Sequence, residues 1–422
     1  MKRRISSLLS IVTVGIAASC AAAGEVSWFR GSLHAHTLWS DGDDLTERVA
    51  AWYRDNGYHF LAISDHNVLA QRAKWLKVAD LEKKHHDLPA LILREKDRLK
   101  TRGNPADGTF EVCLRTVDEI RPLVEKPGQF ILIDSEEISD TAGKVPIHIN
   151  AANIAAAIRP QKGKTARECI ENNLRAAAQQ AKQAARPILA QVNHPNFNWA
   201  VSAEDLADLP LARFVEAFNA HPIVRQTGDR YRPAADRVWD IANTLRVSLH
   251  KLPPLYGVAT DDAHHYHRRG PKDAAPGRAW VMVAAGKLSV EAIIAAMERG
   301  SFYASTGVTL RSITYAPAER MLTVEIEPDG DATFVTEFIG TMEDYQVPRP
   351  GPATRPVDRA GIVLARCEGL RATYRLTGAE LFVRATVTSS AAPESTAYRG
   401  SRKQAWTQPV GWESRVRRDM AE

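Results

Sequence analysis

The stretch His34-Ala35-His36-Thr37-Leu38-Trp39-Ser40-Asp41-Gly42 follows a mostly apolar run, residues 27–33. If that run is a β-strand, its period of two sets the His34 and His36 side chains on one face. Two imidazoles side by side at a strand end suit metal chelation, because neutral imidazole is a common metal ligand and its ring nitrogens otherwise need other partners. An isolated His-x-His fits a solvated strand end equally well, so the rest of the chain decides.

Working outward, residues 28–308 alternate short apolar runs with amphipathic patterns, which predicts successive βα units. Strands are expected at 59–64, 129–134, 145–149, 188–192, 213–218 and 256–260. Leu45, Val49, Trp52 and Tyr53 recur at helical spacing ahead of Gly57, an Ala- and Gln-rich helix is expected over 166–185, and Ser289 is placed to cap a helix ending near Gly300. After Thr309 the period changes to two: Leu322, Val324 and Ile326 alternate with Thr323, Glu325 and Glu327, and the pattern returns at 372–376 and 381–387. This predicts a small β-sandwich. Residues 347–357, rich in proline, read as a loop, and the end from Ser389 reads as a loosely held tail.

Several expected strands end in residues able to bind metal. His34, His36 and Asp41 follow the first, Asp65-His66 the second and Glu136-Glu137 the third; His148, His194, and Asp262 with His264 follow later ones. At the carboxyl ends of parallel strands such side chains converge on one rim. Alternation pairs Asp262 with His264 and turns Asp261 to a supporting or capping role. It favours His66 over Asp65, and it leaves Glu136 and Glu137 undecided.

These motifs resemble those of the PHP (polymerase and histidinol phosphatase) superfamily. His-Ala-His-Thr-Leu-Trp-Ser-Asp-Gly is similar to its first motif, Ile-Ser-Asp-His-Asn to its second, Glu-Glu-Ile-Ser to its third, with the second Glu at the metal-bridging position, and Asp-Asp-Ala-His to its last. The likeness spans residues 28–310 and leaves out the β-rich end. It implies an α/β fold, a distorted (β/α)7 barrel over residues 24–312 followed by a small sandwich-like domain over 313–390 and a tail over 391–422. It also implies two or three divalent metal ions (Mn, Zn or Fe). His34, His36, Glu137 and Asp262 would hold one, Asp41, His66 and His264 a second, and Glu137, His148 and His194 a third. Such a centre fits hydrolysis of a small phosphoester. Asp41 or a rim histidine, His265 or His267, would supply the leaving-group proton. Arg278 and Arg268, with Arg269, would clamp phosphate oxygens. Glu216, lone on an apolar strand, is expected behind the ligands or in the pocket. The competing readings are an aryl ester or carbamate hydrolase, marked by an apolar pocket in place of the arginine clamp, and a non-catalytic, metal-stabilised binding protein.

Charge and cysteine usage bound the partners. The net charge of +5 falls to +2 without Lys2, Arg3 and Arg4, too little for a nucleic-acid surface. Those three residues, the apolar run 8–18 and the small residues that follow read as an export signal over 1–23, cleaved after Ala23 or before Cys20 as a lipid anchor. The expected location is therefore periplasmic, lipoprotein-anchored or extracellular, with no transmembrane span in the mature chain. Cys113, Cys169 and Cys367 are scattered and form no ligand spacing.

Overall fold

The structure, a computed structural model, describes residues 26–81, 88–346 and 359–416. The expected leader with Cys20 and the expected loop at 347–357 lie outside the described residues. The first part of the chain builds β1 (Ser27–Ser32), β2 (Phe60–Ile63), a small separate sheet of β3 (Lys74–Lys77), β4 (Thr101–Arg102) and β5 (Glu111–Leu114), then β6 (Ile131–Ala142), β7 (Val145–Ala152), β8 (Leu189–Val192), β9 (Phe214–Asn219), β10 (Tyr256–Thr260), β11 (Trp280–Ala285) and β12 (Phe302–Ser305). Helices at Thr46–Asp55, Ala166–Ala184 and Val290–Glu298 appear where the helical spacing places them, the last capped by the Ser289 side chain. Strand β2 is buried at all four positions, as a parallel strand covered on both faces must be. At Gly31 a Cβ would fall on the Phe60 ring, so glycine is what lets β1 lie beside β2.

Seven strands run in the order β10-β9-β8-β7-β6-β2-β1 within one mixed sheet. The two ends of this series meet again at a single parallel bridge, Ala35 to Ala263, rather than along a ladder. The expectation of purely successive parallel units fails at β6-β7-β8, which pair antiparallel. Only Gly143 and Lys144 separate β6 from β7, with Gly143 at φ +64°, which suits a hairpin and is too short for a parallel crossover.

The remaining strands are β13 (Leu310–Ala316), β14 (Met321–Ile326), β15 (Phe334–Met342), β16 (Ile362–Glu368), β17 (Arg371–Arg375), β18 (Glu380–Ser389) and β19 (Gln404–Thr407). β13, β14 and β17 form a sheet whose Leu322, Val324 and Ala372 share a core with Phe338, Val383 and Ala385 of the large sheet. The alternation legible in 322–326 thus marks one face of a two-sheet packing, but the second sheet is continuous with the first: β11, β12, β19, β18, β15 and β16 extend it beyond β1. The expectation of a loose tail is overturned. Gln404–Thr407 lies between β12 and β18 and pairs with both, and Trp406 is buried against Phe218. Two strand edges left open by the earlier chain need a partner, and this short segment supplies it.

One buried ion pair ties the β-rich part to a helix of the first part. Arg384 on β18 donates from Nε and Nη2 to the two carboxylate oxygens of Asp240 at 2.6 and 2.7 Å, and its guanidinium lies 4.7 Å from the Trp239 ring centre. Removing one partner strands the other charge in the core. Asp240→Ala is expected to lower stability by about 3–5 kcal/mol, read by urea denaturation, and Asp240→Leu combined with Arg384→Met to recover most of that loss.

Candidate metal centre

Past Ser32 the chain stays extended. The Ala35 N–H donates to Ser64 Oγ (3.1 Å) and the His36 N–H to the Ala263 carbonyl (2.9 Å), so the ends of β1, β2 and β10 are laced together. The alternation therefore persists, and the fully buried His34 and His36 rings sit side by side, 5.1 Å between centres. The next residues turn sharply around the Asp65 carboxylate, which accepts from Thr37 N–H (2.7 Å), Thr37 Oγ1 (2.7 Å) and Ser40 Oγ (2.6 Å). Gly42 closes the turn onto the Thr37 carbonyl, and a Cβ there would lie 2.5 Å from the His36 carbonyl. The turn carries Asp41 back toward His264 (3.3 Å), His66 (3.5 Å) and His36 (3.7 Å).

The hairpin that the sequence reading missed decides between Glu136 and Glu137. Pairing sets Ser139 opposite His148 and Glu137 opposite Asn150, so Glu137 shares a face with His148. Glu137 lies 2.6 Å from His66, 3.1 Å from His148 and 3.3 Å from each of His34 and His194, and accepts from Asn193 Nδ2 at 2.7 Å. Glu136 faces the other way, accepts the Ile158 N–H, and burial pushes it up to about 7.

His194 and Asp262 are held at φ +22° and +49°, a left-handed backbone that non-glycine residues rarely adopt. Asp262 reaches His34 and His36, each at 3.2 Å. It joins the cluster through that backbone turn rather than through strand alternation. Asp261 turns away to accept from Ser32 Oγ (3.1 Å) and Gly277 N–H (2.6 Å), and burial raises it to about 6. Glu216, fully buried on β9, accepts from the His194 N–H (2.7 Å), Thr260 Oγ1 (2.6 Å) and Asn219 Nδ2 (2.8 Å), and lies 2.7 Å from His34 Nδ1. It thereby fixes which nitrogen of His34 faces the cluster.

All nine expected ligands come together. Their ligand atoms form four overlapping groups: His36, Asp41, His66 and His264; His34, Glu137 and His194; His34, His36 and Asp262; and His66, Glu137 and His148. Within this set His194 groups with His34, and His66 is shared with His148. The Nε2 atoms of both His34 and His36 are buried without a hydrogen-bond partner, although carboxylates lie 3.2 Å away. Unpaired buried nitrogens are costly unless a metal occupies their lone pairs. The charges agree. Burial opposes ionisation of Glu137 and Asp262, yet the surrounding histidines hold both well below the usual carboxylate range. Against burial, which lowers it, Glu137 and Asp41 raise His66 to about 10, whereas burial and the neighbouring His264 drive His36 down to about 3. Buried carboxylates among imidazoles, most of which hold a proton when no cation is present, are a donor set that a divalent cation fits by displacing those protons.

Four expected residues stand apart from this cluster. His265 accepts the Ala274 N–H at Nδ1 (2.9 Å) and does not line the cleft. Arg278 is buried, and its guanidinium donates to the carbonyls of Asp273 (2.5 Å) and Gly270 (2.8 Å) and to Ser395 Oγ (3.0 Å), so it braces a loop instead of clamping a ligand. Arg268 is half exposed and lies 3.8 Å from Asp273. His267, 3.2 Å from Asp44, is engaged elsewhere too. Conversely, His221 lines the cleft, its ring 5.1 Å from that of His264. Its sequence context, Asn-Ala-His-Pro just after β9, gave a signal of the same kind as the other strand ends. Asn193 and Asn219, which bind Glu137 and Asp262 directly, carried none.

No family model and no curated protein matches the chain. Among solved structures, it is similar to a two-domain protein from Bacteroides vulgatus containing a predicted PHP-like metal-dependent phosphoesterase, at 13% identity and a TM-score of 0.40, covering 88% of this chain and 94% of that one. It is also similar to a Bifidobacterium adolescentis protein assigned by inference as a metal-dependent phosphoesterase, at 14% identity and a TM-score of 0.30, covering 56% and 87%. Both scores lie below 0.5, so the functional reading rests on the cluster itself. Glu216→Gln, which keeps the shape behind His34 and removes the charge, is expected to weaken Zn2+ or Mn2+ binding about 10–100-fold, measured by calorimetry.

Proposed function

We propose that the chain is a metal-dependent hydrolase of the PHP type, acting on phosphoesters through a centre of two or three divalent ions (Mn, Zn or Fe). The observation that carries this is the pair of unpartnered Nε2 atoms of His34 and His36, set in a cluster of nine ligand side chains that runs from a buried floor to the exposed Asp41 at a cleft. Structural zinc sites usually close at four ligands, so this surplus favours catalysis over a metal that only holds the fold. On this reading the seven-strand series is a distorted barrel whose rim carries the ligands. The expected leader supports an exported location, with Cys20 or the residue after Ala23 as the mature start. Among the described residues no helix is long and apolar enough to cross a membrane.

His34, His36 and Asp262 would hold one ion, Asp41, His66 and His264 a second, and Glu137 with His148 and His194 a third, Glu137 bridging. Bound divalent ions would acidify water and neutralise charge on the phosphoryl oxygens. The protein's own groups do the rest. Glu216 locks the His34 tautomer, and Asn193 and Asn219 fix the Glu137 and Asp262 carboxylates, so that the ligands need no rearrangement. In the hydrolysis a water oxygen bonds to phosphorus and the bond from phosphorus to the alcohol oxygen breaks. The alcohol leaves with the bonding pair and takes one proton, and the second is released with the acid product. The histidines beside Asp41 hold its carboxyl well below the usual range, which makes it a poor acid. His221 lines the cleft with Nδ1 accepting the Ile223 N–H (3.3 Å), and burial lowers it to about 4, so the ring is neutral: its Nε2–H would hydrogen-bond the leaving oxygen, while the proton itself comes from the attacking water.

The second reading, an aryl ester or carbamate hydrolase, is favoured by one observation: none of the described residues lining the cleft is arginine or lysine. The test is turnover by the metal-loaded chain of an aryl phosphomonoester, a phosphodiester and an aryl carboxyl ester, each against Asp262→Asn. Phosphoester turnover that falls to background in the variant is expected. Turnover of the carboxyl ester alone would establish the second reading, and none of the three with metal bound would leave a binding protein.

A further inference from the structure

Resting on the hydrolase reading, we propose that the mouth of the metal cleft is a preformed subsite for an apolar leaving group, an aromatic or hydrocarbon alcohol, formed by Phe197, Ile223 and Val224. The cleft, of about 180 Å3, is lined by the ligand cluster and by these three side chains. A lone exposed apolar residue is ordinary on any surface. Ile223, however, is 60% exposed at a cleft mouth and shares that cleft with a half-buried phenyl ring.

Both apolar groups are held in place. The Phe197 ring packs edge-on against His194, 5.3 Å between centres at 74°, and lies 6.0 Å from His148. It sits on a tight loop whose next two residues, Asn198 and Trp199, have φ of +50° and +57°. On the other side the Tyr398 hydroxyl lies 2.9, 2.7 and 3.1 Å from the carbonyls of Asn219, His221 and Val224, donating into the loop that presents Ile223. A wall already in place costs little to order when a ligand arrives.

Charge points the same way. Arg278 and Arg268 are engaged outside the cleft, and Arg225, next in sequence to Val224, lays its guanidinium over the Trp199 ring at 5.6 Å. A second phosphate or carboxylate on the leaving group would meet Phe197 and Ile223 and lose its hydration without a cationic partner. A ring would instead exchange water for apolar contact.

The test uses phosphonates, which cannot be hydrolysed and so separate binding from leaving-group reactivity. Calorimetry on the full metal-loaded chain would compare benzylphosphonate, methylphosphonate and phosphonoacetate. Benzylphosphonate is expected to bind at least about tenfold more tightly than methylphosphonate, and phosphonoacetate no more tightly. Phe197→Ala and Ile223→Ser are expected each to shrink the benzyl advantage while the methylphosphonate affinity and the bound metal stay as in the parent. Equal affinity for benzyl and methyl, tightest binding of phosphonoacetate, or a benzyl advantage that survives both substitutions would overturn the subsite and leave the hydrolase reading standing. Failure of the metal-loaded chain to bind any phosphonate, together with no Asp262-dependent turnover, would overturn both.

Discussion

The side chain on which the rest of the site depends is the Glu137 carboxylate, fully buried among four histidines from four different parts of the chain. A buried carboxylate is tolerated only where positive charge or hydrogen-bond donors surround it. Each nearby element is placed to supply one: the extended segment after β1 brings His34, the end of β2 brings His66, β7 brings His148 and the loop after β8 brings His194. The geometry of the strand ends is thus inseparable from the electrostatics of one acid. This accounts for the left-handed backbone of His194, one of the four, at φ +22°.

Behind the ligands lies a layer that never touches the cleft. Asp65, Glu216 and Asp261 are three buried acids with three separate duties: Asp65 folds the Thr37–Gly42 turn, Glu216 orients His34 and braces the His194 backbone, and Asp261 receives Ser32 and Gly277. Their cost is met by donors placed at 2.6–3.1 Å. Such a layer narrows the freedom of the ligands, and it is where pre-organisation comes from.

What the sequence revealed and what it hid follow from the range of the interactions. His34 and His36 were legible because alternation is local and the backbone remains extended through Ala35. Alternation could not choose Glu137, which only the motif resemblance indicated, because its partner His148 lies across a hairpin, and period-two reasoning within one segment cannot see the neighbouring strand. Arg278 was misread for a related reason: an arginine beside a metal motif looks like a phosphate clamp, but its five N–H groups serve backbone carbonyls equally well. The 404–407 strand is too short for its alternation to register, and its place is set by two open edges formed by residues 302–305 and 380–389.

That last strand has a consequence for the order of events in synthesis. Ligands from His34 to His264 are all made before residue 265, but Trp406 and its neighbours close the sheet that β12 begins, and Tyr398 holds the loop bearing His221 and Ile223. Because chains emerge amino end first, the metal-binding half is complete more than a hundred residues before the piece that fixes the cleft mouth. In a nascent chain the nine clustered side chains are therefore made well before the strand that closes the sheet and the tyrosine that holds the cleft mouth.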